Sequence, residues 1–453
     1  MAKRPGGDGR QRELFSRSKR QAIAVDPDHP LVKLAELLDW DELIERAERL
    51  RARRVKNRAG RPPHLRALLG AMLLRATRRM TYREAEDQIR YYAPARFLCG
   101  LSESDWTPDH DTIHDFTQLM GEEGAQLINE YVVNLAVAKK LADPSVAVGD
   151  TTAQEAAIPY PNEMRLMAAF LTSVTAASAR AGRALKTFIT RAAPLLRKAR
   201  HRIREYHLFA KTKEVRNQLM ERAAKTVALV HARLGATLSK IEGPGSDGRI
   251  AAARDRTRGL YETMTKLLPQ IRFWLRTGKV ARNKIVSIQV PQVHAIVRGK
   301  AGRPVEFGMK WGFTRLGGGY LIARRAVHKT DIEDKRFVVQ AVDELHRLFG
   351  QVPRLYAYDR GGFSTAAVEA LRRKGVRHVG IAPVGKLPWA VSERMRRRLV
   401  RERVLVEGSI GAVKSARYGF HRAAGRSARM IGTCGQLAVL GFNLNKLARE
   451  ATA

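Results

Sequence analysis

The chain has 453 residues, enough for a large core and more than one domain. Its 83 Lys and Arg outnumber 44 Asp and Glu, a formal net charge of +39 spread along the whole chain. Such an excess implies a polyanionic partner, because each phosphate contact releases counterions; a ribosome-associated protein or a merely cationic surface are the competing readings. Cys99 and Cys434 stand far apart in unrelated contexts. They exclude a disulfide framework or zinc spacing and suit a reducing cytoplasm. The polar, basic N-terminus has no apolar signal core, and no run of about eighteen apolar residues predicts a membrane span.

Residues 1–28 are rich in Arg, Gly and Lys and read as a flexible basic arm. From Pro30, Leu31, Leu34, Leu37, Leu38 and Leu43 recur at helical spacing, with Asp39 or Asp41 near a helix start. After a basic loop, Pro62 and Pro63 open a second helix. Thr81 and Glu84 form a T-x-x-E capping box for a third. A fourth starts after Pro108, and another covers about 121–140. Short helices joined by basic loops over 29–142 suit a helix-turn-helix DNA-binding domain or a plain bundle packed on a core.

PSVAVGDTT reads as a buried strand ending at Asp150. Residues 163–278 are helical and basic, with Val215, Leu219, Ala223, Val227, Val230 and Leu234 as one apolar stripe and Pro194 starting or breaking a helix. GPGSDG at 243–248 reads as a loop. Strand signals resume at about 285 and include a hairpin turning at Gly317–Gly319. A helix, a strand ending at Asp359, a helix, a strand, a basic helical stretch over about 389–419 and a final helix at about 427–449 complete the chain.

A carboxylate at a buried strand end is costly unless it is paired, solvated or bound to metal. Asp150 and Asp359 occupy such ends, and Glu407 lies in the basic helix. Converging hard oxygen donors suit Mg²⁺, two ions of which can activate a nucleophile and stabilise a leaving oxygen at a phosphodiester. Spacing alone leaves many other acids in contention. Asp343 and Glu344 read as exposed on an amphipathic helix, and His328 as a surface histidine. RGKAGRP at 298–304 lacks the G-x-x-x-x-G-K-[ST] pattern, which excludes a phosphate loop for nucleotide hydrolysis.

Three blocks occur in order. GDTTAQEAAIPYPNEMRL resembles the first-aspartate block of bacterial insertion-sequence DDE transposases, in particular the groups clustered around insertion sequence five. YDRGGFSTAAVEALRRKGVRHVGIAPVGK resembles their second-aspartate block. The segment from Arg401 to Arg449 resembles the block that holds the glutamate. Of the wider Tyr-x₂-Arg-x₃-Glu-x₆-Lys pattern, Arg403, Glu407 and Lys414 stand at the right intervals, with Val400 in the tyrosine's place. GRPPHLRALLGAMLL and TPDHDTIHDF are similar to the helical domain before the catalytic core.

The resemblance implies an α/β (mixed) fold: an RNase H-like catalytic core from 143–162 and 279–450, a helical DNA-binding domain at 29–142 and a helical insertion at 163–278. It implies metal binding by Asp150, Asp359 and Glu407, with Mg²⁺ as two ions and Mn²⁺ as a substitute. Arg403 and Lys414, on the helix of Glu407, become candidates for DNA phosphates or else a solvated basic helix face, and Arg360, beside Asp359, positions a phosphate or simply pairs with an acid. The expected activity is cleavage and strand transfer at the element's ends on double-stranded DNA, by a homodimer or larger synaptic assembly in the bacterial cytoplasm at the nucleoid. A metal-dependent nuclease without strand transfer and a catalytically inactive DNA-binding regulator are the alternatives.

Overall fold

In the computed structural model, the structure describes residues 25–55, 62–104, 106–241, 248–300, 303–327, 332–383, 389, 391–423, 425 and 427–451. Most of the predicted arm, most of the 243–248 loop and His328 lie outside the described residues. The fold is mixed α/β, with a helical majority around one mixed sheet.

Among the described residues, six helices come before the first strand: α1 (Pro30–Leu37), α2 (Trp40–Arg54), α3 (Leu65–Arg78), α4 (Tyr82–Tyr91), α5 (Ala93–Leu98) and α6 (His110–Ala138). Their starts follow local chemistry. Asp39 accepts from the Glu42 N–H to cap α2, and the capping box of Thr81 and Glu84 opens α4. Asp109 caps α6, which breaks at Gly121 (φ 57°), so the two helices expected at 110 and 121 are halves of one element. The short α5 carries no apolar period long enough to announce it.

Strand β1 (Asp143–Glu155) continues five residues beyond Asp150. Asp150 is therefore not at the strand's end, as its sequence suggested, because Thr151–Glu155 pair with a long partner. Five helices follow: α7 (Glu163–Ser178), α8 (Arg183–Arg191), α9 (Ala193–Phe209), α10 (Lys213–Leu238) and α11 (Gly248–Thr277). They bury a hydrophobic cluster of their own, from Met164 and Phe170 to Met264 and Ile271. Pro194 sits in the first turn of α9 and starts it. In α10 the buried stripe runs through Met220, Ala223, Val227, Val230 and Leu234, whereas Val215 is exposed at the helix's first turn.

The chain then returns to the sheet. Residues 285–293 bury Ile285, Val286 and Ile288 without strand pairing; β2 begins only at His294 (His294–Lys300). The hairpin β3 (Arg303–Gly317) and β4 (Leu321–Arg325) turns where Gly318 and Gly319 adopt φ of 84° and 96°. Helix α12 (Asp334–Phe349), strand β5 (Leu355–Tyr358), helix α13 (Thr365–Arg373), strand β6 (His378–Ile381), helix α14 (Glu393–Lys414) and helix α15 (Ala428–Glu450) complete the fold.

The sheet order is β2-β3-β1-β5-β6, with β4 also paired to β3. β1 is antiparallel to β3 and parallel to β5, and β5 is parallel to β6. Alternation along β1 and β5 sends Ala147, Tyr356 and Tyr358 into a cluster with α1–α6, α12, α13 and α15. Val148, Leu355 and Ala357 enter the opposite cluster, with Val406 and Val413 of α14. The N-terminal helices thus share one continuous apolar cluster with a face of the sheet.

Candidate active site

The two central parallel strands are registered at Val146–Leu355, Ala147–Tyr356 and Val148–Ala357. Asp150 and Asp359 each lie two residues beyond that last pair on adjacent chains, Asp150 within β1 and Asp359 just past the end of β5. Period-two alternation gives Asp150 the face of Val148, the one covered by α14. Two residues further along that face, Thr152 accepts a hydrogen bond from Lys414 Nζ at 3.0 Å. Thr151 points the other way, and its hydroxyl donates to Asp334 Oδ1 at 2.7 Å at the start of α12.

Burial raises the Asp150 carboxyl, and the charges of Asp359, Glu407 and Asp334 push it further, to about 6; the Thr151 N–H, 2.7 Å from Asp150 Oδ1, opposes them. Asp359 is also raised, first by burial and then by Asp334, while the N–H groups of Gly362 and Gly361 and the Arg403 guanidinium pull it down. The charges of all four acids therefore meet at this end of the sheet.

Glu407 is half exposed, and its Oε1 lies 3.4 Å from Arg403 Nε, one helical turn away. Arg360 is exposed in the 3₁₀ turn that follows Asp359. No three Asp, Glu, His or Cys side chains among the described residues are gathered tightly enough to form a metal-ligand group. The carboxylates are neighbours through their fields, with Glu407 turned to its arginine. The donor set does fit a divalent cation in chemistry and charge. Two part-buried aspartates and a longer-armed glutamate offer hard oxygens, and Asp150 forms no ion pair among the described residues.

Sequence reasoning missed Asp334. It forms an ion pair with Lys310 Nζ at 2.7 Å and belongs to the first turn of α12, where the helix dipole favours an acid. Its signal was its place at the start of an amphipathic helix that follows a sheet strand. Tyr356 and Tyr358 were missed too. Their hydroxyls are buried without hydrogen-bond partners among the described residues, and both phenols are raised by burial and by the charges of the nearby acids. The L-Y-A-Y alternation placed both on one face. Glu344, expected on an exposed surface, is buried by its ion pairs with Arg347 at 2.6 Å and with Arg324; Asp343 is exposed and pairs with Lys374 at 2.5 Å.

Residues 20–119 match the family model described as "Transposase domain (DUF772)". The described part of that match covers α1–α5 and the first turns of α6. No curated protein and no solved structure matches the chain. No helix among the described residues is long and apolar enough to cross a membrane.

Proposed function

We propose that the protein is a DDE transposase of the kind clustered around insertion sequence five, with an RNase H-like core that cuts the ends of its element and joins them to target DNA. The observation that carries this is the shared place of Asp150 and Asp359, two residues past one registered pair of parallel strands, with the charge of Glu407 reaching Asp150. Within the six-stranded sheet, the path β4-β3-β1-β5-β6 runs from three antiparallel strands into two parallel ones, which supports the RNase H-like reading. The domain match at 20–119 supports the transposase reading.

Asp150, Asp359 and Glu407 would hold two Mg²⁺ ions, with Mn²⁺ as a substitute. When bound, such ions supply activation of a water or 3′-hydroxyl and stabilisation of the leaving oxygen. The exposed Arg403–Glu407 pair is worth at most about 1 kcal/mol and does not hold Glu407 away from the aspartates. Arg403 and Arg360 present charge beside Asp359 to orient phosphates, and Lys414 ties α14 to β1 beside the same face. The partner is double-stranded DNA at the element's ends and target, and synapsis of two ends calls for a homodimer or larger assembly.

The deciding experiment incubates the full chain with a paired-end substrate and Mg²⁺. Joined products that vanish in Asp359→Asn, with end binding kept within a few-fold, are expected. Nicks without joined products would make it a nuclease. The absence of a tight three-ligand group among the described residues favours a second reading, a DNA-binding regulator. Its signature is binding unchanged in Asp150→Ala together with no Mg²⁺-dependent cleavage by the parent.

A further inference from the structure

A second basic site lies where the N-terminal helices meet the C-terminal part of the chain. After α3, Arg79 takes a left-handed conformation (φ 50°, ψ 43°), at a cost of roughly 1 kcal/mol or more for a residue with a side chain. Its side chain packs over Gly419, and its Nη1 donates to the Ala416 carbonyl at 3.2 Å. The turn into α4 and the segment after α14, with α3 and α15, line an open cavity of about 610 Å³.

Three arginines are among the residues that line it, Arg75, Arg79 and Arg422. Arg75 lies 3.7 Å from the centre of the Tyr82 ring and donates Nε to the Met80 carbonyl at 3.1 Å. Its Nη1 is buried and finds no hydrogen-bond partner among the described residues, an expensive state for a cationic donor. The one acid on the wall, Glu84, is engaged in the capping box of α4. Leu437 and Ala438 of α15, with Tyr82 and Tyr418, give the lining an apolar and aromatic part.

A lining of arginines together with apolar and aromatic side chains matches a molecule that is anionic at one end and flat and weakly polar at the other. The volume lies in the range of small-ligand pockets, and a bare phosphate would leave the apolar part uncovered. We propose that this cavity takes one unstacked nucleotide of a DNA strand, its phosphate between Arg79 and Arg422 and its base over Leu437 and Ala438. The proposal rests on the reading of the chain as a DNA-acting enzyme.

The test measures affinity of the full chain, without divalent metal, for a labelled single-stranded oligonucleotide and for the duplex of the same sequence. The double variant Arg79→Ala/Arg422→Ala should lose about tenfold on the single strand and under about twofold on the duplex. The slope of log affinity against log salt on the single strand should fall by about 0.7, since one phosphate is no longer neutralised. Arg422 is exposed, so Arg422→Ala alone leaves the fold undisturbed and should still cost about threefold. No loss on the single strand, or equal losses on both substrates, would overturn the pocket. Cleavage by the same variants separates the two readings. Mg²⁺-dependent cut duplex without selective single-strand loss sinks the pocket alone. Selective loss with cleavage indifferent to Asp359→Asn sinks the carboxylate assignment alone.

Discussion

Asp150, within β1, and Asp359, just past the neighbouring parallel strand β5, each lie two residues beyond the Val148–Ala357 pair, so one backbone register brings both to the same end of the sheet. That proximity has consequences for charge, stability and metal response that can be measured without knowing the DNA sequence recognised.

The first concerns pH. Asp150 titrates near 3.9 in an unfolded chain and near 6 in the folded one, so the native state binds its proton more tightly in between. Its stabilising contribution is therefore complete below about pH 4 and is lost as pH rises through 6. The difference in unfolding free energy between Asp150→Asn and the parent should grow over this window in favour of the variant. It should level off above it, at about 2–3 kcal/mol or less given residual solvation. Urea denaturation at pH 4, 5, 6 and 7.5 measures it; a difference independent of pH would remove Asp150 from the acid group.

A second expectation is metal-induced stabilisation. At pH 7.5 Mg²⁺ or Mn²⁺ should raise the melting temperature of the parent by mass action, about 2.7 kcal/mol at a hundredfold excess over the dissociation constant. Asp150→Asn and Asp359→Asn should lose most of that shift. Equal shifts in parent and variants would place any metal elsewhere.

Asp334 gives a third. It accepts from Thr151 and pairs with Lys310, whose side chain is only 13% exposed. Asp334→Asn should destabilise by about 1–3 kcal/mol, since it strips a mostly buried ammonium of its partner. It should also lower the Asp150 titration, because one like charge is gone. Denaturation and carboxyl NMR report the two effects separately, and a loss of stability with no movement of Asp150 would confine Asp334 to a structural role.

The fourth is steric. A Cβ added at Gly149 would run into the Tyr356 hydroxyl and the Tyr358 ring. Gly149→Ala should cost about 1–3 kcal/mol. Tyr356→Phe removes a buried hydroxyl that has no partner among the described residues, so it should be neutral or stabilising and should relieve part of the Gly149→Ala penalty. Additive effects in the double variant would contradict the contact.

Much of the fold was legible because local chemistry settles it. The Thr81–Glu84 box, the Gly318–Gly319 turn and the apolar periods of α12 and α13 act within a few residues. The helical stretch between the sheet strands was equally plain. The far end of β1 was not, since residues 151–155 owe their extension to β3, a partner more than a hundred residues later. The unpaired run at 285–293 looked like a strand because its apolar residues serve packing against two clusters. Asp334 was hidden for a related reason: its importance comes from Thr151 and Lys310, neither of which is near it in the chain.

The placement of the five helices α7–α11 between β1 and its sheet partners has a further outcome during synthesis. The central strand leaves the ribosome well before any chain that can pair with it, because residues 156–302 must be made first. At about 5–20 residues per second that interval is on the order of ten seconds. Throughout it, a segment with two unfilled hydrogen-bonding edges depends on the earlier helices for shelter. The order of manufacture thus makes the nascent polypeptide most vulnerable to misassociation at the very strand that carries Asp150.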